Sequence, residues 1–195
     1  MAMNPDDALA HACRGHCIEI GSWYSPAALR GATVEEGAIP PKAVTTWLVK
    51  DTRLMTVIKT DKGTRIYDHR SDFLYYASEH AQLSPTCPTG HAFLAQAVCD
   101  RDPATQSETP RLLVMDILHP GGGCPSERGH ALRKLSHVFP PLYHVQWSGE
   151  RDSLEAFLRQ GMPHDVECVV ALGEPGRLLR EPSGGISALK ALQSL

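Results

Sequence analysis

Two prolines, Pro110 and Pro120, bracket the run Arg111-Leu-Leu-Val-Met-Asp-Ile-Leu118, and no other stretch limits the fold as tightly. Proline cannot donate to a sheet ladder and disrupts a helix interior, so it marks the limits of a regular element. A short apolar run between such limits reads as a strand. Similar runs recur at 55–58 and 65–68, around the turn Asp61-Lys62-Gly63, and at 72–77, 92–99, 143–147 and 166–172. Two segments have helical spacing instead. Residues 126–138 place Ala131, Leu132, Leu135 and Val138 on one stripe, with Ser126 as the expected cap, and residues 153–159 end at Gly161 and Pro163. Residues 101–110 are polar and 119–125 glycine-rich, so both are expected to be loops. Many strands with two inserted helices predict an α+β fold around antiparallel sheet. Residues 1–42 read as an extension, with a short helix within 1–20 and a connector at 31–42, and residues 43–195 as one domain.

Bulk composition narrows the function. A net charge of -3 and a pI near 6.3 give no polybasic signal, so any nucleic-acid contact needs a local patch. No apolar stretch approaches the roughly 18 residues of a membrane span. The N-terminal Met-Ala-Met-Asn-Pro-Asp-Asp lacks the basic and apolar blocks of a signal peptide. Six irregularly spaced cysteines read as reduced thiols. The expectation is an intracellular protein, of cytoplasm or nucleus, with no membrane partner.

The segment Lys59-Thr60-Asp61-Lys62-Gly63-Thr64-Arg65 is the chemically suggestive one. A lysine that attacks phosphorus must be deprotonated near neutral pH, and neighbouring cations with burial lower its pKa. Lys59 ends an apolar strand with Lys62 and Arg65 close by; the plainer alternative is a hairpin turn flanked by a solvated lysine. Taken with the 111–118 strand and the following Arg128-x-x-x-Leu132, the segment resembles the covalent nucleotidyltransferases, the mRNA capping enzymes and nucleic-acid ligases. Their Lys-x-Asp-Gly-x-Arg loop carries the nucleophilic lysine. Val166-Glu167-Cys168-Val169-Val170 resembles a later strand of the family, and Ala188-Leu189-Lys190 its last lysine strand. The resemblance covers about residues 43–192. It implies an antiparallel-sheet nucleotidyltransferase core, of the ATP-grasp-like ligase and capping-enzyme kind, without the OB-fold domain that usually follows.

Two departures point away from catalysis. Lys62 lengthens the loop by one residue, which re-aims either Lys59 or Arg65. In-line transfer tolerates this poorly, since about 1 Å of misplacement can cost about a hundredfold. The family's Asp-Gly-Glu-like strand is replaced by Phe93-Leu-Ala-Gln96-Ala97-Val-Cys99, so the carboxylate that helps hold nucleotide and metal becomes Ala97. Magnesium needs hard oxygen ligands. Magnesium or manganese therefore enters only for an active enzyme, and no cofactor is otherwise expected. The snurportin-like cap-binding branch of the family likewise lacks the OB-fold domain and catalysis, and resemblance to it implies a non-catalytic domain for a nucleotide or a capped RNA 5′ end, within a larger RNA-related assembly. The implied binding residues are Lys59, Arg65, Glu167 and Lys190, with Trp47, Trp147, Tyr67 and Tyr143 as aromatics for base stacking or, more plainly, for core packing. Two rivals stand beside this: a divergent guanylyltransferase or ligase using Lys59 as nucleophile, and a protein-interaction module with a vestigial pocket. Separately, His11, Cys13, His16 and Cys17, with Cys87 and His91 as a second pair, carry zinc-type donors. Four ligands within seven residues can seldom close one tetrahedron. Gly121-Gly122-Gly123 lacks the Gly-Lys-Ser/Thr ending of a phosphate loop.

Overall fold

The computed structural model describes residues 34–36, 39–50, 52–71, 73–120, 124–158, 166–172 and 178–180. In chain order these form β1 (Val34–Glu36), β2 (Val44–Val49), β3 (Arg53–Thr60), β4 (Gly63–Asp68), β5 (Phe73–Tyr76), β6 (Ala92–Arg101) and β7 (Glu108–His119). Then come α1 (Pro125–Lys134), β8 (Tyr143–Val145), β9 (Gly149–Glu150), α2 (Arg151–Leu158), β10 (Val166–Leu172) and β11 (Leu178–Arg180). The strands build a larger sheet of order β5-β4-β3-β6-β7-β8 and a smaller one of order β1-β11-β10-β2-β9. Pairing is antiparallel except for β1 with β11 and β7 with β8. The fold is α+β with mostly antiparallel sheet.

Alternation along the strands explains the apolar runs. On β3, Leu54 and Ile58 face Leu48, Val170 and Leu172 of the smaller sheet, together with Tyr67, Leu94 and Met115. Met55 and Val57 face the other way, onto a second core with Ile66, Phe93 and Val114 that is closed by Ala81, Leu132, Val138 and Tyr143. A sheet buried on both faces needs apolar residues at nearly every position, which is why β3, β6 and β7 do not alternate with polar ones. A third core joins Trp47, Val49, Val169 and Ala171 to Leu154 of α2.

β6 and β7 pair antiparallel along their length, from Ala92↔His119 to Arg101↔Glu108, as the two apolar runs require. Their connecting loop is shorter than expected, residues 102–107, closed by Asp102 N–H donating to Ser107 O at 2.9 Å. Polar composition at 101–110 reports an exposed ribbon, not an unpaired one. Part of the expected connector is likewise strand, since β1 pairs with β11. Helix α1 starts one turn position earlier than Ser126: Pro125 is its first residue, and Cys124 N–H donates to Glu127 Oε2 at 2.8 Å. Its buried positions are Arg128, Gly129 and Leu132, and Ala131 is exposed. The expected stripe fails at Ala131 because Arg128 turns the helix toward Asp116. Arg128 Nε and Nη2 donate to Asp116 Oδ1 and Oδ2 at 3.0 and 3.2 Å, both residues being buried. Burial pushes the Asp116 carboxyl above its usual range, and the Arg128 bonds pull it back. Removing one partner of such a pair strands the other charge, at a cost of about 3–5 kcal/mol. Among the described residues no helix is long and apolar enough to cross a membrane.

Candidate functional site

The chain passes from the smaller sheet to the larger one between Val49, the end of β2, and Arg53, the start of β3. This crossover is built around a buried amide. Gln96, fully buried on β6, accepts the Val49 N–H on Oε1 at 2.9 Å. Its Nε2 donates to Trp47 O at 3.1 Å and to Gln146 Oε1 at 2.6 Å. Gln146 Nε2 donates onward to Thr46 Oγ1 and to Trp47 O at 2.9 Å. Thr52 Oγ1 donates to Val49 O at 2.8 Å and closes the turn. Buried amides of this kind hold position only when all their groups are bonded, as here.

Beside the crossover lies a cavity of about 1110 Å³. Met55, Ile66, Ala97 and Leu112 form its floor, and Tyr75 and Tyr76 border it. Lys50, His80, Arg101 and Arg111 stand around it, and none of its described lining residues is acidic. Two of these cations are paired at the surface: Arg111 Nε to Asp100 Oδ2 at 3.1 Å, and Arg101 Nη2 to Glu108 Oε1 at 3.2 Å. Lys50 is exposed and has no carboxylate partner among the described residues. Burial, then the charge of Asp68, raises the Tyr75 hydroxyl pKa, with Arg53 opposing, so Tyr75 is a neutral ring with a donor at its tip.

The hairpin that carries Lys59 is elsewhere. β3 and β4 close with a two-residue turn, Asp61-Lys62, fixed by Thr60 Oγ1 donating to Gly63 O at 2.6 Å. Gly63 has φ +123°, and a Cβ there would lie 3.1 Å from Gln82 Oε1. In this register Lys59 faces Thr64, and Ile58 faces Arg65. Since cross-strand partners share a face, Lys59 and Arg65 project from opposite faces of the sheet. Lys59 is half-buried near Cys87, away from the cavity lining. Burial pushes the Cys87 thiol up to about 11, against the opposing charge of Lys59. Burial, and then His119, lowers the pKa of His91, against its bond to Pro88. Arg65 lies over the Tyr76 ring, 4.5 Å from its centroid.

Trp47 and Trp147 pack together with Phe157. Trp47 stacks on Phe157 at 5.3 Å and Trp147 on Phe157 at 4.9 Å, with 6.4 Å between the two tryptophans. Trp47 is 5% exposed, so no ring face is open to a base. Tyr67 and Tyr143 are buried in the cores flanking the larger sheet. Glu167 lies on β10 between the pairs Val166↔Val49 and Cys168↔Leu48, where the register shifts; its side chain is outside the described structure. Lys190, His11, Cys13, His16 and Cys17 lie outside the described residues. Among the described residues no three His, Cys, Asp or Glu side chains converge as a metal site.

No protein-family model matches the chain, and no curated protein matches it. Among solved structures it is similar to a mycobacterial DNA ligase D complexed with ATP and MES, at 15% identity and a TM-score of 0.45. The match covers 78% of this chain and 60% of that one.

Three residues of the site escaped the sequence reading: Lys50, Tyr75 and Gln96. A signal existed for the first. Lys50-Asp51-Thr52-Arg53 carries lysine, aspartate and arginine in order between two apolar strands, a shorter version of the pattern assigned to residues 59–65. Nothing local distinguishes Gln96 from an ordinary strand residue.

Proposed function

We propose that the chain is a degenerate nucleotidyltransferase-type core whose cavity binds a nucleotide or an RNA 5′ end, capped ends included, without chemistry. The observation that carries this reading is that one cavity is lined both by Lys50, which has no carboxylate partner among the described residues, and by Ala97, where catalytic relatives need a carboxylate. Lys50 serves as the phosphate ligand. Arg101 can turn to phosphate at small cost, because an exposed ion pair like its own is worth about 0–1 kcal/mol; Arg111, part-buried and bonded to Asp100 and to Pro141 O, adds its positive charge in place. The base lies along Tyr75 and the apolar floor, where stacking contributes roughly 1–3 kcal/mol per base. With Ala97 in place of a carboxylate and no acidic residue among its described lining, the cavity does not fit a divalent cation.

The test is a titration of capped RNA, uncapped RNA and free cap nucleotide at two salt concentrations. Phosphate binding weakens with salt as counterions are released. Preference for capped RNA supports cap recognition; equal, salt-dependent binding supports 5′-phosphate recognition alone; no binding by the folded protein removes the proposal. Incubation with labelled GTP or ATP and magnesium or manganese is expected to leave no covalent adduct. A labelled band that disappears in Lys59→Ala or Lys50→Ala would restore an active transferase. The interaction-module reading is favoured by one observation, the exposed Phe73 and Tyr76 on β5 at the edge of the larger sheet.

A further inference from the structure

We infer that Gln96 is the positioning residue for Lys50: a buried side-chain amide on the larger sheet fixes the crossover so that the lysine stands at the cavity. The inference rests on the proposed role of Lys50. The two ends of the Gln96 amide do different work. Its oxygen accepts the N–H of Val49, the residue before Lys50, and lies 3.4 Å from Thr52 Oγ1 on the far side of the turn. Its nitrogen bonds the smaller sheet through Trp47 O and Gln146. The network also sets the amide's orientation, because an N–H can meet only the oxygen and a carbonyl only the nitrogen. Lys50 is long and exposed, and its own side chain is held by nothing described. Its direction is therefore inherited from the backbone at Val49 and Thr52. Gln146, one step further away, bonds Thr46, Trp47 and Gln96 but neither end of the turn. It supports the junction without aiming the lysine.

The experiment compares full-length Gln96→Asn, Gln146→Leu, Lys50→Ala and the Gln96→Asn/Lys50→Ala double variant. Asparagine keeps the amide but is one methylene too short to reach Val49. Without ligand, amide hydrogen exchange should quicken at Val49 in Gln96→Asn and not in Gln146→Leu. With a short 5′-triphosphorylated RNA, Gln96→Asn should lose about tenfold in affinity and flatten the salt dependence by about one phosphate contact. Lys50→Ala should do the same, and the double variant no more than either single one, since residues acting through one another are not additive. Gln146→Leu should lower the melting temperature and leave the salt slope intact. Additive losses, or an unchanged slope in a folded Gln96→Asn, would overturn the inference. Should the wild-type protein fail to bind the RNA, the proposed function falls, and Val49 exchange alone decides: unchanged exchange in Gln96→Asn sinks the positioning role.

Discussion

β3 has a lysine-bearing turn at each end, and the two turns differ in what their geometry permits. At its far end Lys59 sits in a two-residue hairpin whose pleat assigns every neighbour to one face or the other. At its near end Lys50 sits where the chain leaves one sheet for another. Strand pairing at the hairpin places Lys59 and Arg65 on opposite faces of the sheet. A crossing between sheets leaves a gap, and the cavity opens beside it. A lysine's neighbours in sequence are thus a weaker guide than the kind of turn that holds it.

The comparison can be broken most severely by deleting Lys62. The deletion recreates Lys-Thr-Asp-Gly-Thr-Arg, yet it removes one of the two turn residues and forces β4 to slip or the turn to strain. A one-residue slip exchanges the faces of Ile66 and Tyr67, both buried in different cores. The expected loss is at least about 3 kcal/mol in denaturant unfolding, with no gain of nucleotide adduct. A stable deletion variant that forms an adduct would show that the hairpin, not the crossover, is the site.

Gly63→Val probes the same turn more gently. The left-handed φ disfavours a β-branched residue, and Gln82 would have to yield. About 1–3 kcal/mol should be lost, read from the unfolding midpoint at unchanged slope. Ligand affinity should stay as in the wild-type protein.

Single alanines sharpen the contrast in binding. Lys50→Ala should weaken RNA 5′-end binding about tenfold, near 1.4 kcal/mol, and Lys59→Ala should change it less than twofold. Neither exposed Lys50 nor half-buried Lys59 forms an ion pair among the described residues, so stability should move by no more than about 0.5 kcal/mol. Equal effects of the two variants would erase the distinction.

The smallest expected effect is on pH dependence at the hairpin end. His91 has a folded pKa below its unfolded value, so the unfolded chain binds its proton first as pH falls. Its contribution is intact above about pH 6.5 and is lost as pH drops from there toward the folded pKa. His91→Asn should flatten this limb of the stability curve and leave the neutral region alone. A limb that persists would assign the acid sensitivity to another group.

The larger sheet was the legible part of the sequence. Its strands bury both faces, so 55–58, 92–99 and 111–118 stand out as apolar runs whatever their register. The hairpin at Asp61-Lys62-Gly63 was legible from turn chemistry. What escaped depended on parity and distance. The face on which Arg65 lies is set by one residue in a turn, and the value of Gln96 is set by partners about 50 residues away, Val49 and Gln146. Ala131 was misplaced because a buried ion pair outranked the apolar stripe. Trp47 and Trp147 offered the right chemistry for stacking on a base, and found each other and Phe157 first.

The smaller sheet joins strands from opposite ends of the described chain, β2 pairing with β10 across more than a hundred residues. The larger sheet, by contrast, is mostly a meander of sequence neighbours. Closing long loops slows folding, so local pairings form ahead of distant ones. The β3–β7 meander is expected to be structured in the transition state, with β2 and β10 docking afterwards. Substitutions at Val170 should then mainly speed unfolding, and those at Val57 mainly slow refolding, which stopped-flow kinetics can separate. A partly folded chain would already display the Lys59 hairpin, whereas the Lys50 crossover exists only once the last docking is complete. The cavity then becomes a late product of folding, and a ligand bound there selects for molecules that have finished the journey.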